Sequence, residues 1–219
     1  MMLRDFTFDR KFVVTGGALF LSLLLFVLFP GTDRLPLGIQ SIIAFSIFFL
    51  LFPILYAQLI LGESWRAVGF QMEQTLSAWI GVALAVIVGF GIFFFGYQWW
   101  SALHEVYRLP FVVERSFLAF VRYELFLLVT LFFYEVFFRG FIQLLFLRRF
   151  GLWSVLLQWG IFLLFLFASQ SFGMDQLAMI LFAPLAGWVA YRSQSIGYSF
   201  LASGLFFITV DVFLLLANR

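Results

Sequence analysis

The sequence FVRYELFLLVTLFFYEVFFRGFIQLLFL, residues 120–147, decides the fold because it is long, apolar and carries few charges. Its charged side chains are Arg122, Glu124, Glu135 and Arg139. Apolar runs of about 18 or more residues recur along the chain, and each is long enough to cross a hydrocarbon core of about 30 Å. Lipid offers no hydrogen-bond partners to the backbone, so these runs must be helices or barrel strands. Strict alternation of apolar and polar residues is absent, which favours helices.

The composition of the whole chain supports the same class. Of its 219 residues, 64% are hydrophobic and 11% are charged, whereas a soluble domain carries about 25% charged residues. We therefore expect an all-α, polytopic transmembrane helix bundle that is embedded in the lipid bilayer. The net charge of +2 gives no reason to expect a nucleic-acid partner. The chain has no cysteine and one histidine, His104, so we expect neither a metal site nor a cofactor.

Hydropathy predicts seven membrane spans in a single domain of residues 1–219. The predicted spans are residues 12–30, 37–61, 77–99, 120–147, 152–172, 177–191 and 195–216. Residues 1–116 would form N-terminal helices, and residues 117–219 a C-terminal core. The first span follows basic residues like a signal peptide, but no small-residue cleavage site precedes the turn at residues 30–33, so we expect a retained helix.

The distribution of basic residues predicts the orientation in the membrane. With the N-terminus in the cytoplasm, seven basic residues lie on the cytoplasmic side and five on the other side. The cytoplasmic set is Arg4, Arg10, Lys11, Arg66, Arg148, Arg149 and Arg192. The opposite set is Arg34, Arg108, Arg115, Arg122 and Arg219. This bias favours a cytoplasmic N-terminus and a C-terminus on the other side.

Residues 63–79 differ from the spans because apolar and charged residues are interleaved there. The apolar residues recur at helical spacing: Trp65, Val68, Met72, Leu76 and Trp79. Glu63, Arg66, Glu73 and Gln74 fall between them. This pattern predicts a short amphipathic helix in the membrane interface. The alternative is a plain connecting loop.

Glu135 and Arg139 are the charges placed deepest in a predicted span. They are four residues apart, so their side chains emerge on one helical face and can form an ion pair. One interpretation is a structural pair that neutralises itself inside the bundle. The other is a buried carboxylate that acts as a general base. Both remain open from the residues alone.

Two further acidic residues and one pair of small residues lie within predicted spans. Glu124 is close to the outer boundary and next to Arg122, so we expect it to be solvated. Asp211 should face the bundle in a structural hydrogen-bonding role, with Arg139 as one possible partner and Ser203 two turns earlier. In the sixth span, Ala183 and Gly187 form a small-xxx-small pair that permits close helix packing.

The sequence YEVFFRG stands at residues 134–140, and a basic turn, RRFG, follows at residues 148–151. Together they resemble the first motif of the CPBP family of CAAX endoproteases and bacteriocin-processing proteins. This family is also called the abortive-infection family. The stretch LAGWVAYRSQSI, residues 185–196, is similar to the segment that precedes the last motif of that family. The resemblance covers residues 134–217. It implies a membrane-embedded endopeptidase in which the first of two adjacent glutamates activates water and later histidines assist.

The chain departs from this pattern at the chemical positions. Tyr134 stands in the place of the first glutamate, no histidine occurs in the predicted fifth span, and Ser203 stands in the place of the histidine in the last motif. If activity remained, Glu135 would activate water with Arg139, and Ser169, Gln170 or Ser203 would donate hydrogen bonds. Loss of several such groups leaves little catalysis.

The residues therefore favour a CPBP-like protein without proteolytic activity, which binds another membrane protein in a complex. The alternative is a glutamate-type intramembrane endopeptidase that cleaves prenylated or membrane-associated peptides. A transporter or channel is less favoured, because the sequence shows no pair of interrupted helices. The family resemblance and the lack of a targeting signal favour a prokaryotic inner membrane.

Overall fold

The computed structural model of the chain describes residues 10–29, 37–73 and 75–217. Arg4, Arg34 and Arg219 of the charge count, the turn predicted at residues 30–33, and Gln74 of the predicted interfacial helix lie outside the described residues. The described residues form helices, turns and connections without a β-strand. This confirms the prediction of an all-α fold.

Within the described residues, seven apolar helices follow one another. They are α1 (Arg10–Val27), α2 (Leu37–Phe45, continued by Ser46–Leu51, Phe52–Leu55 and Tyr56–Ile60), α3 (Leu76–Trp99), α4 (Phe117–Tyr134, continued by Glu135–Phe146), α5 (Trp153–Ala168), α6 (Leu177–Ser193) and α7 (Ile196–Ala217). Shorter helices are Ser101–Val106, Phe111–Arg115, Arg148–Phe150 and Met174–Gln176. The segments Ser46–Leu51, Tyr56–Ile60 and Glu135–Phe146 are π-helical.

Six of these helices in the described part of the chain are long and apolar enough to cross a membrane, which makes this an integral membrane protein. The exception is α5, with 16 residues. At 1.5 Å per residue it is about 24 Å long, shorter than a hydrocarbon core of about 30 Å. The full span predicted at residues 152–172 is therefore wrong in length. The helix ends at Ala168 because the chain turns there, and Gln170 adopts a φ of 55°.

The chain divides into two compact units, Met1–Ser64 and Trp65–Arg219. In the first unit, the Lys11 ammonium and the Glu63 carboxylate form an ion pair of 2.9 Å. The second unit contains α3 to α7, and α3 packs against both α6 and α7. The boundary predicted at residue 116 differs from this division because α3, which precedes that residue, belongs with the C-terminal helices.

Close packing of α3, α6 and α7 forms the core of the second unit. The rings of Phe182 on α6 and Phe206 on α7 stack with their centroids 4.2 Å apart. Gly89 on α3 lies against this stack, and a Cβ atom at Gly89 would come within 2.6 Å of the Phe182 ring. The position therefore requires a residue without a side chain.

The interfacial helix predicted at residues 63–79 is wrong. Residues 65–69 form turns, and the next helix, α3, begins at Leu76. Gly69 has a φ of 93°, a conformation that interrupts a right-handed helix. Its carbonyl accepts the backbone N–H of Ile196 at 3.0 Å. Val68 is buried against Gly140 of α4, so the apolar residues of this segment do not share one face.

The same connection is held to the α6–α7 turn by two further hydrogen bonds. The amide of Gln71 donates to the carbonyl of Gln194 at 3.1 Å. The hydroxyl of Tyr198 donates to the carbonyl of Glu73 at 2.9 Å. The segment is therefore a docked loop that lies beside α4 and the start of α7.

We predict that Gly89→Ala lowers the free energy of unfolding by about 1–3 kcal/mol, because the added methyl group displaces the Phe182–Phe206 stack. The matched control is Gly91→Ala on the same helix, where a Cβ atom meets nothing within 4 Å. That control should be neutral or slightly stabilising. Thermal unfolding of the purified variants in one detergent checks both expectations, and equal effects of the two substitutions would contradict the packing described for α3.

Candidate functional site

The polar cluster of α4 begins where that helix changes to π-helical geometry. The π-helical segment is Glu135–Phe146, and Glu135 is its first residue. Glu135, Arg139 and Gln143 follow at intervals of four and are all buried, with exposed fractions of 2%, 6% and 0%. Short π-helical segments occur frequently at functional sites. The π-helical segment therefore begins at Glu135 and contains Arg139, the two charged residues predicted to form an ion pair.

Glu135 is bound by hydroxyl groups of α7. Ser199 Oγ donates to Glu135 Oε2 at 2.5 Å, and Ser203 Oγ donates to Glu135 Oε1 at 2.8 Å. The two serines are one helical turn apart, so their hydroxyl groups lie on one face of α7. Both carboxylate oxygens thus have a donor, and Glu135 connects α4 to α7.

Arg139 lies between Glu135 and α6. Its Nε atom is 3.8 Å from Glu135 Oε2, which confirms the predicted ion pair. Another nitrogen of the same guanidinium, Nη2, donates to the carbonyl of Ala183 at 3.0 Å. One turn further along, Gln143 Nε2 donates to the carbonyl of Gly187 at 2.7 Å.

The small residues of α6 make these two contacts possible. A Cβ atom at Gly187 would lie 3.2 Å from Gln143 Oε1 and 3.4 Å from Gln158 Oε1. Close packing at the predicted Ala183–Gly187 pair is confirmed. The sequence assigned this pair to packing alone, whereas the structure shows that its carbonyl oxygens also accept hydrogen bonds from buried side chains of α4.

Tyr134, which stands in the place of the first motif glutamate, packs among aromatic rings. It stacks on Phe138 with centroids 5.8 Å apart and meets the edge of Phe162 at 6.0 Å. A cavity of about 20 Å³ is lined by Tyr134, Glu135, Arg139 and Ser203, among others. That volume is enough for one water molecule.

A larger cavity of about 270 Å³ reaches Glu135 from the other side. It lies between the docked loop at residues 69–72, α4 and the start of α7, and Phe132 and Phe200 line it. Its wall is almost entirely apolar. Glu135 therefore stands between a water-sized cavity and an apolar one.

One prediction about the acidic residues is wrong, and another is confirmed in part. Glu124 is 6% exposed, so it is buried and not solvated as its neighbour Arg122 led us to expect. The helical rotation of α4 turns Glu124 inward, where it interacts with Asp211 of α7. Asp211 faces the bundle as predicted, but its neighbour is Glu124, because Arg139 is occupied by Glu135 and Ala183.

Ser169 and Gln170, the other predicted hydrogen-bond donors, are placed at the end of α5. Ser169 Oγ donates to the carbonyl of Leu166 at 3.2 Å, and neither residue lines the cavities beside Glu135. His104 is exposed in the short helix Ser101–Val106, with its ring 4.2 Å from that of Tyr97. Among the described residues, no group of three or more histidine, aspartate or glutamate side chains is placed to hold a metal ion.

Sequence reasoning missed Ser199, Gln143 and Gln158. A signal for the first two existed, because Ser199 precedes Ser203 by four residues and Gln143 follows Arg139 by four. Gln158 of α5 is fully buried, and its amide nitrogen and oxygen have no hydrogen-bond partner. Its position next to Gly187 depends on how α5 packs against α6, which no local pattern encodes.

The fold and the site define a helical integral membrane protein with a buried ionic and hydroxyl cluster at its centre. No family model matches the chain, and no curated protein or solved structure is significantly similar to it. The resemblance to the CPBP family therefore depends on the motif residues alone and stays a prediction.

We predict that Ser199→Ala and Ser203→Ala each lower the free energy of unfolding by about 1.5–3 kcal/mol, because each removes a hydrogen bond to a charged group that stays buried. Thr209→Val is the control on the same helix, since the Thr209 hydroxyl is exposed and donates only to the carbonyl of Leu205. Unfolding curves of the three variants provide the measurement. Serine variants as stable as the threonine control would show that the hydroxyl groups do not support Glu135.

Proposed function

We propose that this chain is a non-catalytic binding subunit of a membrane complex, with the helix arrangement of a CPBP-like protein. The observation that carries the proposal is the environment of Glu135. Both of its carboxylate oxygens accept hydrogen bonds, from Ser199 and Ser203, and Arg139 lies beside it. A carboxylate that acts as a general base has to receive a proton from water, so it must keep a lone pair directed at that water. Here both oxygens already serve to hold α4 against α7.

The groups around Glu135 also differ from those that a peptidase needs. Peptide hydrolysis in a low-dielectric site requires a donor for the developing oxyanion and a group that protonates the leaving amine. The neighbours of Glu135 are serine hydroxyls and a guanidinium that is bonded to the carbonyl of Ala183. Removal of one oxyanion donor costs about 10²–10³ in rate. The absence of histidine from residues 134–217 therefore supports a role in binding.

The partner that fits this proposal is another membrane protein. The second unit keeps a rigid, ion-paired interior while its outer helix faces remain apolar, with Ile87 and Leu164 more than half exposed. Such faces pack against lipid or against a neighbouring helix. We place the complex in a prokaryotic inner membrane with the N-terminus in the cytoplasm, on the basis of the motif resemblance and the positive-inside bias.

An intramembrane endopeptidase is the second candidate, and the cavities beside Glu135 favour it. The apolar cavity of about 270 Å³ is suited to a lipid-like or apolar peptide segment, and the cavity of about 20 Å³ has room for a water molecule. In this alternative, Glu135 would release a serine hydroxyl and accept a proton from that water. The substrate would be a prenylated or membrane-associated peptide.

We predict that the unaltered protein and its Glu135→Gln variant are equally inactive towards a prenylated peptide, because residues 134–217 contain no histidine to assist hydrolysis. The unaltered protein should co-purify from mild detergent with a stoichiometric membrane protein, and Glu135→Gln should reduce that recovery because it loosens the contact between α4 and α7. Mass spectrometry of the purified complex and of the peptide mixture measures both.

The control for this experiment is Glu114→Gln, which removes an exposed carboxylate from the connection before α4. It should leave the recovery of the partner unchanged. Cleavage of the peptide by the unaltered protein, together with its loss in Glu135→Gln, would contradict the binding proposal and establish the endopeptidase.

A further inference from the structure

A third cavity, of about 310 Å³, is lined by Tyr134 but not by Glu135. It is formed by the connection at residues 106–109, the start of α6, and the facing surfaces of α4 and α7. Cavities of about 300–1,000 Å³ are the usual size for small-molecule sites. Glu135, Arg139 and Ser203 do not line this cavity, although it shares the wall residues Tyr134 and Phe207 with the small cavity beside Glu135. The function proposed above does not use it.

The inner end of the cavity holds a carboxylate without sufficient partners. Asp211 lines the cavity, is 7% exposed, and its Oδ2 atom has no hydrogen bond. Glu124 lies beside Asp211, is 6% exposed and interacts with it, and neither of its carboxylate oxygens has another hydrogen-bond partner. Two adjacent buried acids repel each other when ionised. A cation placed between them would relieve that repulsion and provide the missing donors.

The side walls indicate what kind of cation fits. Tyr107, Tyr123 and Tyr134 contribute aromatic surface, and Leu214 and Phe207 contribute apolar surface. Aromatic faces attract ammonium groups. The volume exceeds that of a bare metal ion many times, and apolar walls offer such an ion no ligands. The lining therefore matches an organic ammonium ion with an apolar body.

The outer end of the cavity is compatible with entry of such a cation. The exposed carboxylate of Asp175 lies there. Arg108 also lines the cavity, and its Nε atom donates a hydrogen bond to the carbonyl of His104. Tyr107 is fixed at this end because its hydroxyl oxygen accepts the backbone N–H of Ala178 at 2.6 Å. Burial raises the pKa of Tyr107 to about 12, so its hydroxyl is neutral at physiological pH.

We propose that this cavity, the Asp211 cavity, binds a small organic ammonium ion, with the charged group at Asp211 and the apolar body between the tyrosines and α7. Hydrogen bonds from the ammonium group satisfy the open carboxylate oxygens. The apolar body of the bound ion displaces water or lipid from the apolar wall of the cavity. The site depends on the packing of α4 against α7 but not on whether Glu135 is catalytic.

The test uses the purified full chain in detergent and two probes of the same shape, phenethylamine and its neutral counterpart 2-phenylethanol. Isothermal titration calorimetry at neutral pH compares their affinities. We expect the amine to bind at least about tenfold more tightly than the alcohol, because hydrogen bonds between charged groups are stronger than neutral ones. Equal affinities, or no binding of the amine, would overturn the proposal.

Two variants locate the bound amine. Asp211→Asn keeps the shape of the side chain and removes its charge, so we expect it to weaken amine binding at least about tenfold. Glu114→Gln removes a carboxylate outside the cavity and should bind the amine like the unaltered protein. Undiminished binding by Asp211→Asn would overturn the proposal. The comparison of amine with alcohol needs no variant, so it decides the question even if Asp211→Asn fails to fold.

Discussion

The contact between Glu135 and its three neighbours is the interaction on which the second unit depends. A carboxylate inside a membrane bundle is costly unless charge and hydrogen bonds compensate for the lost water. Ser199, Ser203 and Arg139 supply that compensation from α7 and from the next turn of α4. Because the donors lie on different elements, the carboxylate can be satisfied only when α4 and α7 pack in one register.

The remaining contacts of α4 extend this constraint to α6. Arg139 and Gln143 reach the carbonyls of Ala183 and Gly187, and small residues are needed there because larger ones would hold the helices apart. Polar side chains that bond across helices fix register in this way in lipid, where the hydrophobic effect does not drive helices together. The same arrangement holds the carboxylate of Glu135 and the guanidinium of Arg139 in fixed positions between α4, α6 and α7.

The parts of this structure that could be predicted from the sequence are those set by local spacing. The helices follow from apolar runs, and the Glu135–Arg139 pair follows from an interval of four residues. The environment of Glu124 could not be predicted in this way, because Glu124 lies beside Asp211, which is 87 positions later in the chain. The loop at residues 65–73 could not be predicted either, because helical spacing does not reveal that Gly69 adopts a positive φ.

A double-mutant cycle on Glu135 and Arg139 tests the central claim most directly. Unfolding free energies are measured for Glu135→Gln, Arg139→Gln and the double variant in one detergent. We expect Arg139→Gln alone to cost about 3–5 kcal/mol, because it leaves a buried carboxylate without its cation. The double variant should be destabilised less than the sum of the single variants, with a coupling of at least about 1 kcal/mol. Additive effects of the two substitutions would contradict the account.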